Sequence, residues 1–105
     1  MNHKERMLAG LPYKAWMDGL PEEQKENKKR IYEYNLCPPY QTEKIDRLIR
    51  AILGKAGKNI SFLAPFHCDY GKNIEVGNNF YANYNCIILD VGPVIIGDNV
   101  MFGPN

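Results

Sequence analysis

His67, Cys68 and Asp69 stand in direct succession, and by residue type they could make an activated thiol or a metal site. Both chemistries fail on geometry. Neighbours along a strand project to opposite faces, so these three side chains cannot converge on one atom. A nucleophilic thiol also needs a base that is itself held by a third group, and none is suitably spaced. Two other positions draw interest. Asn83 follows Tyr81 by two residues, which puts both on one side of a strand. Asp69 precedes Gly71 closely enough to cap a turn. From residue type alone, Asn83 reads as a turn residue, Tyr81 as corner packing and Cys86 as core.

Whatever these residues do, a six-residue beat must position them. Apolar residues come in pairs two apart: Ile74/Val76, Phe80/Ala82 and Cys86/Ile88, then, after a slip of two, Val94/Ile96 and Val100/Phe102. Strand alternation alone does not give this pattern, and neither does a 3.6-residue helix. Short strands separated by regular turns do. Asn and Gly, frequent here, tolerate the positive φ that such turns demand. The slip falls at Asp90-Val91-Gly92-Pro93 and predicts a small loop bulging from one corner. Repeats of this kind bury little alone and need stacked neighbours. The beat stops in mid-pattern at Asn105, so the sequence reads as a truncated coil.

Residues 1–57 read differently, as a helical segment ahead of the coil of residues 58–105. Tyr13, Trp16 and Met17 have the spacing of one helix face, and Trp16 with Tyr13 predicts a contact against the coil, with closure over a ligand as the lesser reading. Pro21 suits a first helical position, with Glu22 and Glu23 near the positive helix end, and this helix should run to about Asn35 with Ile31 and Tyr34 inward. Pro38-Pro39 ends it. Thr42 is the expected cap of a third helix, whose stripe of Ile45, Leu48, Ile49, Ile52 and Leu53 is the strongest in the chain. Glu43/Arg47 and Asp46/Arg50 have ion-pair spacing on its outer face. Gly54 and Gly57 are the expected stop.

Bulk properties exclude several classes. The net charge of +1 gives no footprint for nucleic acid or an anionic membrane. No apolar run reaches the roughly 20 residues of a membrane helix. Met1 to Arg6 is polar, with no apolar signal core behind it. Three unpaired cysteines, Cys37, Cys68 and Cys86, suit a reducing cytoplasm.

Several stretches together resemble the maltose/galactoside O-acetyltransferases, a family of hexapeptide-repeat acyltransferases. They are Leu8-Ala9-Gly10, Cys68-Asp69-Tyr70-Gly71, Asn73-Ile74, the run from Gly77 to Asn85, Leu89-Asp90-Val91 and Ile96-Gly97-Asp98-Asn99. The likeness covers essentially the whole chain in order.

The resemblance implies a mainly β fold, a left-handed parallel β-helix preceded by a small α-helical N-terminal segment. It implies a homotrimer with sites between subunits, moving an acetyl group from acetyl-CoA to a sugar hydroxyl, with no metal. Asn83 matches the family residue near the thioester and acceptor hydroxyl. Asp69 matches a sugar-contacting position, and Tyr81, two residues before Asn83 on the same side of the strand, is a further candidate for the acceptor side. Ala15 stands where relatives carry an acidic sugar ligand, with Asp18 as a stand-in, and Val91 stands where the galactoside branch has Asp. These features lean toward the maltose-like branch. The family's catalytic His lies in a segment beyond Asn105; neither His3 nor His67 matches it. Two further readings stay open: an inactive fragment serving only as an oligomeric or structural unit, and, much weaker, a metalloenzyme of the γ-carbonic-anhydrase type. The latter needs several His ligands where the coil has only His67.

Overall fold

A computed structural model describes residues 1–105. Three helices lead: α1 (His3–Leu8), α2 (Leu20–Leu36) and α3 (Thr42–Ile52). Eight short strands follow: β1 (Lys55–Ala56), β2 (Ser61–Phe62), β3 (Phe66–Cys68), β4 (Ile74–Val76), β5 (Tyr81–Ala82), β6 (Cys86–Ile88), β7 (Val94–Ile96) and β8 (Met101–Phe102). They form three parallel sheets, ordered β1-β4-β7, β2-β5-β8 and β3-β6.

The register has one period. Lys55 faces Glu75, Ser61 faces Tyr81, Phe66 faces Cys86, Ile74 faces Val94 and Tyr81 faces Met101, each partner twenty residues on. The chain therefore visits three sheets in turn and returns to the first after twenty residues. Three six-residue rungs account for eighteen; the slip supplies the other two. It is not a single bulge, as the sequence suggested. It recurs in each turn of the coil, at residues 69–73 and again at 89–93, between a strand of the β3-β6 sheet and the next strand of the first sheet. The first occurrence is hidden because Phe66/Cys68, the pair before it, sits in a stretch where the beat is harder to see.

The inner pairs make one core. Phe62, Phe66, Ile74, Val76, Phe80, Ala82 and Cys86 are buried with Ile31, Tyr34, Ile49, Ile52 and Leu53 of the helical segment. The rings of Phe62 and Phe66 lie 4.7 Å apart and those of Phe62 and Phe80 5.0 Å apart, inside the range of favourable aromatic pairs. The Tyr34 hydroxyl donates to the Phe62 carbonyl, tying α2 to the coil.

Turns are built from left-handed asparagines. Asn59, Asn79 and Asn99 have φ of 57°, 60° and 60°, and Asn85 and Asn105 both have 66°. Those sets repeat every twenty residues, so the same corner of each turn carries the same conformation. Close approach explains two glycines. A Cβ on Gly54 would lie 2.1 Å from the Lys72 carbonyl oxygen, and one on Gly77 would lie 2.3 Å from Asp98 Oδ1.

Several expectations are corrected. Residues 11–19 form no helix: 11–14 are irregular and 15–19 are turns, bounded by positive φ at Gly10 and at Asp18 and Gly19. Trp16 is 70% exposed and Met17 is exposed too, so neither packs on the coil. Tyr13 alone joins a small cluster with Met7, Leu8, Leu20 and Tyr70. Thr42 is the first helical residue of α3 and not its cap; Gln41 precedes it without a side-chain cap bond. Of the two ion-pair spacings only Asp46–Arg50 closes, at 2.8 Å. Strand pairing starts at Lys55, two residues ahead of Gly57.

Candidate functional site

Alternation along β5 sets out the first group. Ala82 is fully buried, so Tyr81 and Asn83 on either side share the outer side of the coil, each half-buried. Their N–H groups donate to the Val100 and Phe102 carbonyls of the next turn, at 3.0 and 3.1 Å. Asn83 Oδ1 accepts the Tyr84 N–H at 2.8 Å. The amide is thereby oriented, and its Nδ2 remains as a free donor.

The second group sits at a different corner. Asp69 follows β3, where the slip turns the chain toward β4, and it is half-buried. Its carboxylate has no partner within the protein, while its backbone is held on both sides. Asn27, fully buried on α2, donates from Nδ2 to the Asp69 carbonyl at 3.1 Å and the Cys68 carbonyl at 3.4 Å. Asp90, also fully buried, accepts the Asp69 and Tyr70 N–H groups through Oδ1, both at 2.9 Å. Asn73 Nδ2 holds the Asp90 carbonyl at 2.8 Å.

Burial raises the Asp69 carboxyl pKa above its usual value; the nearby Asp90 raises it further, and Lys28 pulls it partly back. Burial likewise pushes the Cys68 thiol up to about 12, with Asp90 and Asp69 adding to the rise and the Asn27 hydrogen bond opposing it. A thiol so fully protonated near neutral pH is no nucleophile. No three His, Cys, Asp or Glu side chains converge where a metal could sit.

Asp18 lies in the exposed loop before α2, where its Oδ2 accepts the His3 N–H at the start of α1. Its carboxylate is engaged in joining the loop to that helix. His3 accepts the Lys14 N–H at Nδ1, and His67 lies exposed on the outer side of β3. The structure thus puts Tyr81 and Asn83 on one face at β5, and sets Asp69 apart at the corner that follows β3. A cavity of about 560 Å³ between α2, α3 and β2 is lined by groups such as Tyr34, Ile45, Ile49 and Phe62 and includes none of the four expected site residues. Sequence reasoning missed Asn27 and Asp90. Asn27 lies in a charged helical run that reads as a solvated face, and Asp90 lies in what reads as a loop.

A parallel coil of short strands with a helical cap is the architecture of hexapeptide-repeat proteins. Residues 6–57 match the maltose acetyltransferase hexapeptide capping motif. The chain is 41% identical to the galactoside O-acetyltransferase of Escherichia coli strain K12 over 101 residues, which is 96% of this chain and 50% of that protein. Among solved structures it superposes on a maltose O-acetyltransferase from Clostridium difficile 630 with a TM-score of 0.97 at 44% identity, covering 100% of this chain and 56% of that one. It superposes on a galactoside acetyltransferase in complex with coenzyme A with a TM-score of 0.95 at 40% identity, covering 100% and 52%. The chain belongs to the maltose/galactoside O-acetyltransferase family, and it spans about half the length of the relatives it matches.

Proposed function

We propose that this chain carries the acceptor side of an acetyl-CoA-dependent sugar O-acetyltransferase, with a maltose-, glucose- or galactoside-type acceptor and a catalytic base outside these residues. The observation that carries the reading is the match of the entire chain to a galactoside acetyltransferase solved with coenzyme A. The proposed coil is left-handed and the proposed assembly a homotrimer. A trimer lets the Asn83 corner and the Asp69 corner be completed by residues of a neighbouring subunit. Three free, buried thiols favour a reducing compartment such as the cytoplasm.

In the proposed reaction a sugar hydroxyl oxygen bonds to the acetyl carbon, the carbon–sulfur bond breaks, and the coenzyme leaves as a thiol. The hydroxyl proton passes to the base and from the base to the departing sulfur. The free Nδ2 of Asn83 supplies a hydrogen bond to the developing oxyanion or to the thioester carbonyl. The unpartnered Asp69 carboxylate accepts from sugar hydroxyls, with Tyr81 and Asp18 as further acceptor-side groups. Placement of the hydroxyl is itself a large part of the rate.

Neither histidine is placed as the base, which favours a second reading: the 105 residues alone act as a structural unit without turnover. Thiol release from acetyl-CoA with a panel of maltose, glucose and galactosides separates the two. The expected result is no turnover by this chain and turnover by a longer chain that continues the coil. Turnover by the 105 residues overturns the placement of the base elsewhere. A longer, folded chain without turnover on any of these sugars overturns the acetyltransferase reading.

A further inference from the structure

We infer that Asn27 and Asp90 are positioning residues that aim the Asp69 carboxylate at the acceptor; this rests on the proposed sugar-contacting role of Asp69. The two side chains grip one stretch of backbone from opposite directions. Asn27 reaches from α2 and takes the Cys68 and Asp69 carbonyls. Asp90 reaches from the next turn of the coil and takes the Asp69 and Tyr70 N–H groups. The peptide units on both sides of Asp69 are therefore fixed, while its carboxylate is bound to nothing in the protein.

The grip is expensive for the fold. Both residues are 0% exposed, and each leaves one oxygen, Asn27 Oδ1 and Asp90 Oδ2, without a partner. Buried polar groups are ordinarily satisfied, and a half-satisfied pair is worse for stability than an apolar one. Asp90 also sets a carboxylate beside Asp69, which opposes ionisation of the residue it holds. Packing alone does not favour this arrangement. A site that needs one carboxylate held in one direction does, because supporting hydrogen bonds set the precision of a contact residue. The grip further links helical segment and coil: Asn27 belongs to α2, and Gly71, two residues after Asp69, packs so close to α3 that a Cβ there would lie 2.4 Å from the Ile52 carbonyl oxygen.

The test is a maltose titration of the chain followed by ¹⁵N–¹H NMR, with the amide spectrum confirming folding of each variant. Asp69→Ala is expected to weaken binding about tenfold, the loss of one good hydrogen-bonded contact. Asp90→Ala and Asn27→Ala should weaken it to a similar degree, and either combined with Asp69→Ala should add almost nothing, since they act through that residue. Asp90→Asn keeps an acceptor for both N–H groups and should restore affinity to within about twofold of the parent. Full additivity in the double variants, or unchanged affinity in a folded Asn27→Ala and Asp90→Ala, overturns the positioning role while leaving the acceptor reading intact. Affinity unaffected by Asp69→Ala, or no binding by the parent chain, overturns the inference at the reading on which it rests. Should Asp90→Ala not fold, Asn27→Ala and Asp90→Asn decide the matter alone.

Discussion

Asn79 donates from its Nδ2 to Oδ1 of Asn99, twenty residues later, at 2.9 Å, and Asn59 donates to Asn79 in the same way at 3.3 Å. All three share a left-handed backbone, so one corner of the coil is a ladder of identical turns. Beside it runs a second ladder: Asn78 Oδ1 accepts the Lys58 N–H at 2.8 Å and Asp98 Oδ1 accepts the Asn78 N–H at 2.7 Å. An asparagine here does two things, taking positive φ and bonding to the turns above and below. Asn79→Ala loses both and should cost about 1–3 kcal/mol, whereas Asn79→Gly loses only the side-chain bonds and should cost about 1. Urea unfolding of the two variants checks the order.

Gly77 and Gly97 occupy the same corner one turn apart, yet they should respond oppositely to a methyl group. A Cβ on Gly77 meets Asp98 Oδ1 at 2.3 Å and the Gly97 carbonyl carbon at 2.8 Å, while one on Gly97 meets nothing within 4 Å. Gly77→Ala should destabilise by about 2 kcal/mol or more, and Gly97→Ala should stay within about 0.5. Thermal midpoints of the pair in this chain provide the comparison.

Asp69 makes stability depend on acid. Its carboxyl pKa is raised in the folded state, so the folded protein disfavours its charged form. Relative to an ordinary carboxyl, that contribution is stabilising below the unfolded value of 3.8 and is lost as pH rises through the higher folded value. Asp69→Asn should therefore be more stable than the parent at pH 7, with the gain shrinking toward zero as pH falls below the ordinary carboxyl range. Denaturation midpoints of both proteins from pH 7 to pH 3 read the difference directly, and a gain that grows on acidification contradicts it.

The Cys68 thiol, pushed up to about 12 by burial, should resist alkylation. Cys37 and Cys86 are buried as well. Iodoacetamide at pH 8 is expected to leave all three unmodified in the folded chain and to modify all three in denaturant, as counted by mass.

Trp16 and Tyr34 reverse the usual weight of a tryptophan. Trp16→Ala removes a largely exposed ring and should change stability by less than about 0.5 kcal/mol. Tyr34→Phe removes only a hydroxyl, but it strands the buried Phe62 carbonyl and should cost about 1–3 kcal/mol. Guanidinium unfolding monitored in the far ultraviolet distinguishes them.

Much of the architecture is written locally. Inward and outward positions alternate because a strand's side chains alternate, so Phe80/Ala82 or Ile74/Val76 declare the core without reference to any distant residue. The stripe of α3 does the same at helical spacing, and the left-handed asparagines announce the turns. The family motifs around Asp69 and Asn83 are likewise contiguous in sequence. Residues 11–19 show where spacing misleads: Tyr13, Trp16 and Met17 keep a helical interval, but the positive φ of Gly10, Asp18 and Gly19 breaks the helix that would align them.

What the sequence by itself determined is the beat, the core pairs, the helical lead-in and the residues that carry the family likeness. Only the tertiary structure decided the rest. That the slip at 89–93 repeats at 69–73 follows from register, because strand pairing relates residues twenty apart and no local window contains both. That Asn27 and Asp90 close on the backbone of Asp69 follows from packing, which brings together a helix and two successive turns of coil. Hydrogen bonds across such separations depend on where the chain returns, and local preferences leave no trace of that in the order of the residues.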